Sequence, residues 1–237
     1  KGRLIVATVV DEEHSSIGAD ALVLKWRADA AIVTEPTDLA IAVGHKGFAW
    51  MRVDVEGKAA HGSRPAEGQD AILRLGRVLV KLESLDARLQ TQPPHALMGT
   101  GSLHASIIEG GRELSSYPDR ATLQMERRTL PGETPQQVIA QVEAACVTVR
   151  RRRATFNASV AVDSVRDPSD VAADAPIVTA MLNATAAQGA RAPVEGVSYW
   201  SDAALFNAAG IPAVCYGPGD IALAHGAVEW IPVDEIT

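Results

Sequence analysis

Three consecutive acids, Asp11, Glu12 and Glu13, stand directly after the apolar run of residues 3–10 (RLIVATVV) and just before a helix-like segment. A helix N-terminus favours negative charge, which accounts for one or two of them. Three adjacent carboxylates repel one another and call for a counter-charge, which a divalent cation supplies. Glu35 ends a second apolar strand in VTEPT, where Pro36 cannot continue a ladder and leaves the carboxylate at the rim. Taken alone, Glu35 is equally a turn residue. If the two strands are parallel neighbours, Glu35 shares a sheet edge with the acidic triplet, and ligands of open α/β sheets bind beyond such strand ends. His225 follows another core strand (212–216) and a glycine-proline loop, in GPGDIALAHGAVEW. Glutamates with a histidine at a sheet edge suit zinc or a similar divalent ion. His61, in the small-residue loop of GKAAHGSRPAEG, reads by itself as an exposed loop histidine.

The elements that must carry these residues change character twice along the chain. Residues 3–10 read as a strand covered on both faces. A helix follows from Ser15 or Ser16 to about Trp26, then strands at 30–34 and 39–45, the spacing of a parallel α/β layer. From Gly47 the pattern becomes amphipathic: Ala49, Met51, Val53 and Val55 alternate with Trp50, Arg52 and Asp54. The helix from Ala71, the strands GSLHASII and ATLQMER, a helix opened by Thr134-Pro135 and a last strand ATFNASVAV complete a βαββαβ order. This predicts a two-layer ferredoxin-like α+β module at 47–162, inserted into an α/β domain (1–46 and 163–237). The second half carries helices near 175–188 and 202–209 and a core strand in IPAVCYG. Both chain ends read as lying within a fold, since a strand begins almost at once and IPVDEIT resembles a starting helix.

The composition narrows the partners. Net charge is −7, which opposes binding to nucleic acid or an anionic membrane. The βαββαβ order is also that of RNA-recognition modules, but only Trp50 and Phe156 offer aromatics on the sheet strands. The arginine run 150–153 sits at a helix end, where cations suit the helix dipole. No apolar stretch reaches the roughly 18 residues of a membrane span. Cys146 and Cys215 lie in apolar segments and read as two buried thiols of a cytoplasmic protein.

The segments VVDEEHSSIGA, VTEPTDLAIAVGHKG, GKAAHGSRPAEGQDAI, MERRTLPGET and GPG…AHGAVEWI, in this order, resemble the dinuclear zinc aminoacylase/carboxypeptidase family. Acetylornithine deacetylase and succinyl-diaminopimelate desuccinylase are among its members. The resemblance implies an incomplete zinc-peptidase-like α/β catalytic domain (1–46 and 163–237) with the inserted module as its lid/dimerisation domain. It implies a homodimer formed through that lid, and two Zn2+ ions per active site, with Co2+ or Mn2+ as substitutes. It implies Glu12 as general base, Glu13 and His225 as ligands of one zinc, and Glu35 as a ligand of the other. It makes His61 the lid histidine that reaches the partner's active site and stabilises the oxyanion. Arg128, with Arg127 beside it, falls where an arginine holds the substrate carboxylate. Ser115, in GGRELSSYP, stands where many members have asparagine and is the substrate-loop candidate. The physical chemistry is consistent: zinc acidifies bound water and a neighbouring carboxylate shuttles the proton.

The expected activity is hydrolysis of an N-acyl amino acid, of acetylornithine deacetylase type. A carbamoyl-amino-acid hydrolase or a dipeptidase/carboxypeptidase of the same family is the alternative, and an inactive dimerisation scaffold is the alternative of another class. The family's remaining histidine and its metal-bridging aspartate have no counterpart before Glu12. The chain is therefore expected to correspond to the C-terminal two-thirds of a member, to bind zinc weakly and to be inactive by itself.

Overall fold

The computed structural model describes residues 2–153 and 155–236. They divide into two compact units: residues up to Lys46 together with those from Pro168 onward, and Gly47–Asp167 between them.

The first unit opens with α1 (Ile17–Lys25), β1 (Ala31–Val33) and β2 (Ile41–His45). Ser16 occupies the position before α1 in a left-handed backbone conformation (φ 56°) and makes no side-chain cap. Its hydroxyl donates instead to the Glu12 carbonyl at 3.4 Å.

The second unit runs β3 (Gly47–Glu56), α2 (Ala71–Gln90), β4 (Ser102–Gly110), β5 (Arg120–Thr129), α3 (Pro135–Arg152) and β6 (Asn157–Arg166). The sheet order is β4-β5-β3-β6, antiparallel throughout, which is the ferredoxin-like arrangement that the alternation predicts. Ala49, Met51, Val53 and Val55 of β3 join Leu75, Val78 and Leu82 of α2 and Val138, Val142 and Cys146 of α3 in one core. Trp50, Arg52 and Asp54 occupy the opposite, more solvated face of the sheet. Both helices are capped. Asp70 accepts from the Leu73 amide at 2.8 Å, and Thr134 and Gln137 form a reciprocal capping box with Pro135 in the first turn. The last strand extends to Arg166, past the 162 at which the sequence pattern ends it, because Val165 still packs on the core.

The chain then returns to the first unit as β7 (Ser169–Asp170), α4 (Pro176–Ala187), β8 (Val194–Val197), α5 (Ala203–Ala208) and β9 (Ala213–Cys215). Its sheet is ordered β1-β9-β2-β7, with β8 also paired to β2. Ile41, Val43 and Val214 face α4 through Val178 and Met181, while Ala42, Ala213 and Cys215 pack with Ala203 of α5. Both cysteines are buried and unbridged.

Three expectations change here. Residues 3–10 form no strand: Leu4 and Val6 are 87% and 82% exposed. A β-branched run stays extended in a sheet only where a neighbour supplies hydrogen bonds and cover, and no described strand pairs with it. The layer is mixed rather than parallel, since β9 lies between β1 and β2 and runs parallel to the former and antiparallel to the latter. Residues 233–235 make a single 3-10 turn in place of a starting helix. Among the described residues no helix is long and apolar enough to cross a membrane.

Candidate active site

The acidic triplet is shaped by its backbone. Asp11 adopts a left-handed conformation (φ 67°), which aspartate tolerates better than most residues. Its carbonyl then accepts from the amides of His14, Ser15 and Ser16, at 3.3, 3.1 and 2.6 Å. This turn links residues 3–10 to α1, and it gives Asp11 a structural place that the motif alone leaves unassigned. Glu12 and Glu13 ride on it. Glu35 follows β1 and enters the same groove, of about 1060 Å3, which Leu4, Val9, Ile32 and the buried Asp202 also line. The sequence argument placed Glu35 beside the triplet through adjacent parallel strands; the groove does so without that pairing.

His225, also left-handed (φ 59°), brings Nε2 to 3.4 Å from a Glu13 carboxylate oxygen, both side chains being 77% exposed. The two residues expected to share a metal are thus neighbours. The carboxylates feel one another strongly. Burial, then Glu12, Asp202 and Glu13, push the Glu35 carboxyl up to about 8. Burial, Asp202 and Glu13 raise Glu12 as well, against a smaller opposing effect of His225. A site in which carboxylates raise each other is one a cation would relieve. The donor types therefore fit a divalent ion. The geometry assembles them only in part, because among the described residues no three His, Cys, Asp or Glu side chains converge on one ion position.

Asp202 is the residue that the motifs did not single out. It precedes α5 and is 3% exposed, and its charge acts on both Glu12 and Glu35. The signal was there in SYWSDAALF, an acid between a strand and a helix on the sheet that carries the other acids. Beside it, the Ser201 hydroxyl lies 3.0 Å from the Cys215 sulfur.

The remaining candidates lie in the second unit. His61 is exposed, in a loop bridged to Ser116. Both the amide and the hydroxyl of Ser115 donate to Glu113, at 2.9 and 2.6 Å, and those bonds with one from Ser116 hold the Glu113 carboxyl down at about 2. Arg127 is 1% exposed and is paired with Glu133, a buried structural tie. Arg128 is half-buried, salt-bridged to Glu126 at 2.6 Å and set 5.6 Å from the centre of the Phe48 ring. Of the two arginines, only Arg128 keeps an appreciable part of its side chain exposed, 30% against 1%.

An acid-lined α/β unit interrupted by a βαββαβ module is the arrangement that the motif resemblance implies. Residues 43–153 match the family model of the M20 peptidase dimerisation domain. The chain is 33% identical to an acetylornithine deacetylase of Myxococcus xanthus, over all of this chain and 62% of that protein. In fold it is similar to the aminopeptidase PepT of Bacillus cereus (TM-score 0.78, 22% identity, 96% of this chain and 59% of that one). It is similar also to an M20 family metallo-carboxypeptidase of Sulfolobus solfataricus (TM-score 0.69, 18% identity, 91% and 62%). All three names describe hydrolases. The resemblance drawn from the motifs is borne out, and the chain spans about three-fifths of the length of these relatives.

Proposed function

We propose that this chain is part of a metal-dependent hydrolase that cleaves the amide bond of an N-acyl amino acid, of acetylornithine deacetylase type. The observation that carries the reading is that Glu13, paired with His225, lines the same groove as Glu12 and Glu35. Glu13 and His225 would hold one Zn2+ and Glu35 a second, with Co2+ or Mn2+ able to substitute. A bound divalent ion supplies Lewis acidity, acidifying water and polarising the scissile carbonyl. Glu12, raised by burial and by its neighbours' charges, takes the proton of the attacking water on its carboxylate and returns it to the leaving nitrogen. His61 donates to the developing oxyanion, and Arg128 holds the substrate carboxylate. Support for a homodimer comes from the dimerisation-domain match and from the edge strand β4, where Ile107 and Ile108 are exposed. Two buried free thiols fit a reducing, cytoplasmic setting.

A panel of N-acetyl, N-succinyl and N-carbamoyl amino acids and dipeptides, assayed with added Zn2+, tests the class of substrate. Glu12→Gln is expected to abolish turnover in the full-length protein and to leave zinc content unchanged; retained turnover removes Glu12 from the base role. Mixing His61→Ala with Glu12→Gln protomers is expected to regain activity if His61 serves the other subunit.

A second reading rests on the absence of a converging three-ligand set among the described residues. By this reading, residues 1–237 alone bind zinc weakly and act only as a dimerisation scaffold. Zinc titration of this chain distinguishes the two, a stoichiometric tight complex removing the second.

A further inference from the structure

The loop that carries His61 fixes more than the position of its ring. The Ser63 backbone amide donates to His61 Nδ1 at 3.2 Å, and the Ser63 hydroxyl lies 2.8 Å from the same nitrogen. An amide N–H can only donate, so Nδ1 must present its lone pair, and in the neutral ring the proton then resides on Nε2. The hydroxyl can rotate to donate to Nδ1 as well. With Nδ1–H instead, the ring proton would oppose the Ser63 amide proton and that contact would be lost, although the hydroxyl oxygen could still accept. Among the described residues no hydrogen bond occupies His61 Nε2.

The loop is held firmly enough for this to matter. The Arg64 amide donates to the His61 carbonyl at 2.8 Å, Gly62 to the Ser115 carbonyl at 2.6 Å, and Tyr117 to the Ala60 carbonyl at 2.8 Å. Gly62 is tight against its neighbour, since a Cβ there would lie 2.9 Å from the Ser115 carbonyl oxygen. Backbone on both sides of the imidazole is therefore fixed, and Ser63 meets one ring nitrogen only.

We propose that Ser63, through its backbone amide, is a positioning residue that locks His61 in the Nε2–H tautomer, so that the imidazole offers a neutral hydrogen-bond donor in a fixed direction. The catalytic consequence rests on the reading of His61 as the oxyanion donor; the tautomer itself does not. An oxyanion must be met by a proton, and a ring that exchanges its proton between nitrogens meets it only part of the time.

The test is nitrogen-15 spectroscopy of the His61 ring at a pH where it is neutral, in this chain and in Ser63→Pro and Ser63→Ala. The native ring is expected to show one acceptor-type Nδ1 and one protonated Nε2. Ser63→Pro, which removes the amide N–H, is expected to move the two nitrogen signals toward each other as the second tautomer is populated, whereas Ser63→Ala, which keeps the amide and loses only the hydroxyl, is expected to leave Nδ1 the acceptor. A native ring protonated on Nδ1, or a Ser63→Ala ring that shifts to the other tautomer, overturns the proposal. In the full-length protein, Ser63→Pro is expected to lower kcat by about tenfold, a fraction of what loss of a whole oxyanion donor costs, with KM little changed and with Ser63→Ala near native. If His61→Ala keeps full turnover, the reading of His61 as donor fails, while the spectra still decide whether Ser63 sets the tautomer.

Discussion

The two units use similar residue types to opposite effect. In the βαββαβ unit one apolar cluster joins four strands and two helices, and Leu75, Val78, Met51 and Leu123 are fully enclosed. In the α/β unit the sheet divides the apolar residues into two smaller clusters, one of them built almost entirely of alanines. Its longest apolar run, residues 3–10, lies largely in solvent. The ionisable groups follow the same division. Arg127 is buried with a partner, whereas Glu12 and Glu35 share a groove with further acids. A closed core supports a scaffold, whereas mutually repelling acids beside uncovered apolar surface lower stability, a local conflict of the kind that marks functional sites.

The sharpest way to break the scaffold is to remove the partner of its buried cation. Arg127 Nε already lacks a hydrogen-bond partner among the described residues. Glu133→Ala is expected to cost about 3–5 kcal/mol by leaving an uncompensated buried charge, read as a lower urea midpoint. Next is a matched pair of truncations. Leu75→Ala is expected to destabilise the βαββαβ unit by about 2–5 kcal/mol. Leu4→Ala, the same change at an exposed site, should stay within about 0.5 kcal/mol. Equal effects would erase the contrast between the units.

The acids give a contrast of sign. Glu35 has a folded pKa of about 8, raised chiefly by burial, against 4.5 as the ordinary value. The folded state therefore holds the extra proton between those values, and in metal-free protein its stability is expected to fall as pH rises from about 4.5 to 8. Glu35→Gln should flatten that slope. Glu113, held at about 2 by Ser115 and Ser116, does the reverse. Its contribution is present above the ordinary carboxylate value and is lost as pH falls toward 2. Acid should therefore loosen the Glu113 loop while alkali loosens the groove, which amide-proton spectra across the pH range would resolve. A smaller loss is expected for Thr134→Ala, about 1 kcal/mol for the lost cap of α3, measurable as a shift in Tm.

The βαββαβ unit was readable because its alternation and its Thr134-Pro135 start are local signals that packing then confirms. The α/β unit was readable only in part. Short, wholly apolar strands give no period by which to order them, so β9 entering between β1 and β2 could not be inferred. Residues 3–10 misled because strand propensity has no force without a partner. Of the candidate site, Glu12, Glu13, Glu35 and His225 were visible as motif residues at element ends. Asp202 was signalled only by its place between a strand and a helix, and its importance comes from burial near the other acids. The choice between Arg127 and Arg128 was legible in the alternation, since Arg127 continues the buried side of Ala121, Leu123 and Met125.

The two cysteines give this molecule a reporter in each unit. Cys146 sits in the core of the βαββαβ unit and Cys215 in that of the α/β unit. Burial pushes the first thiol up to about 11 and the second to about 12. Neither forms an appreciable thiolate near neutrality, so neither reacts with an alkylating reagent while its unit stays closed. The two labelling rates, separated by peptide mass, would therefore clock the opening of each half independently, with no probe added to the chain.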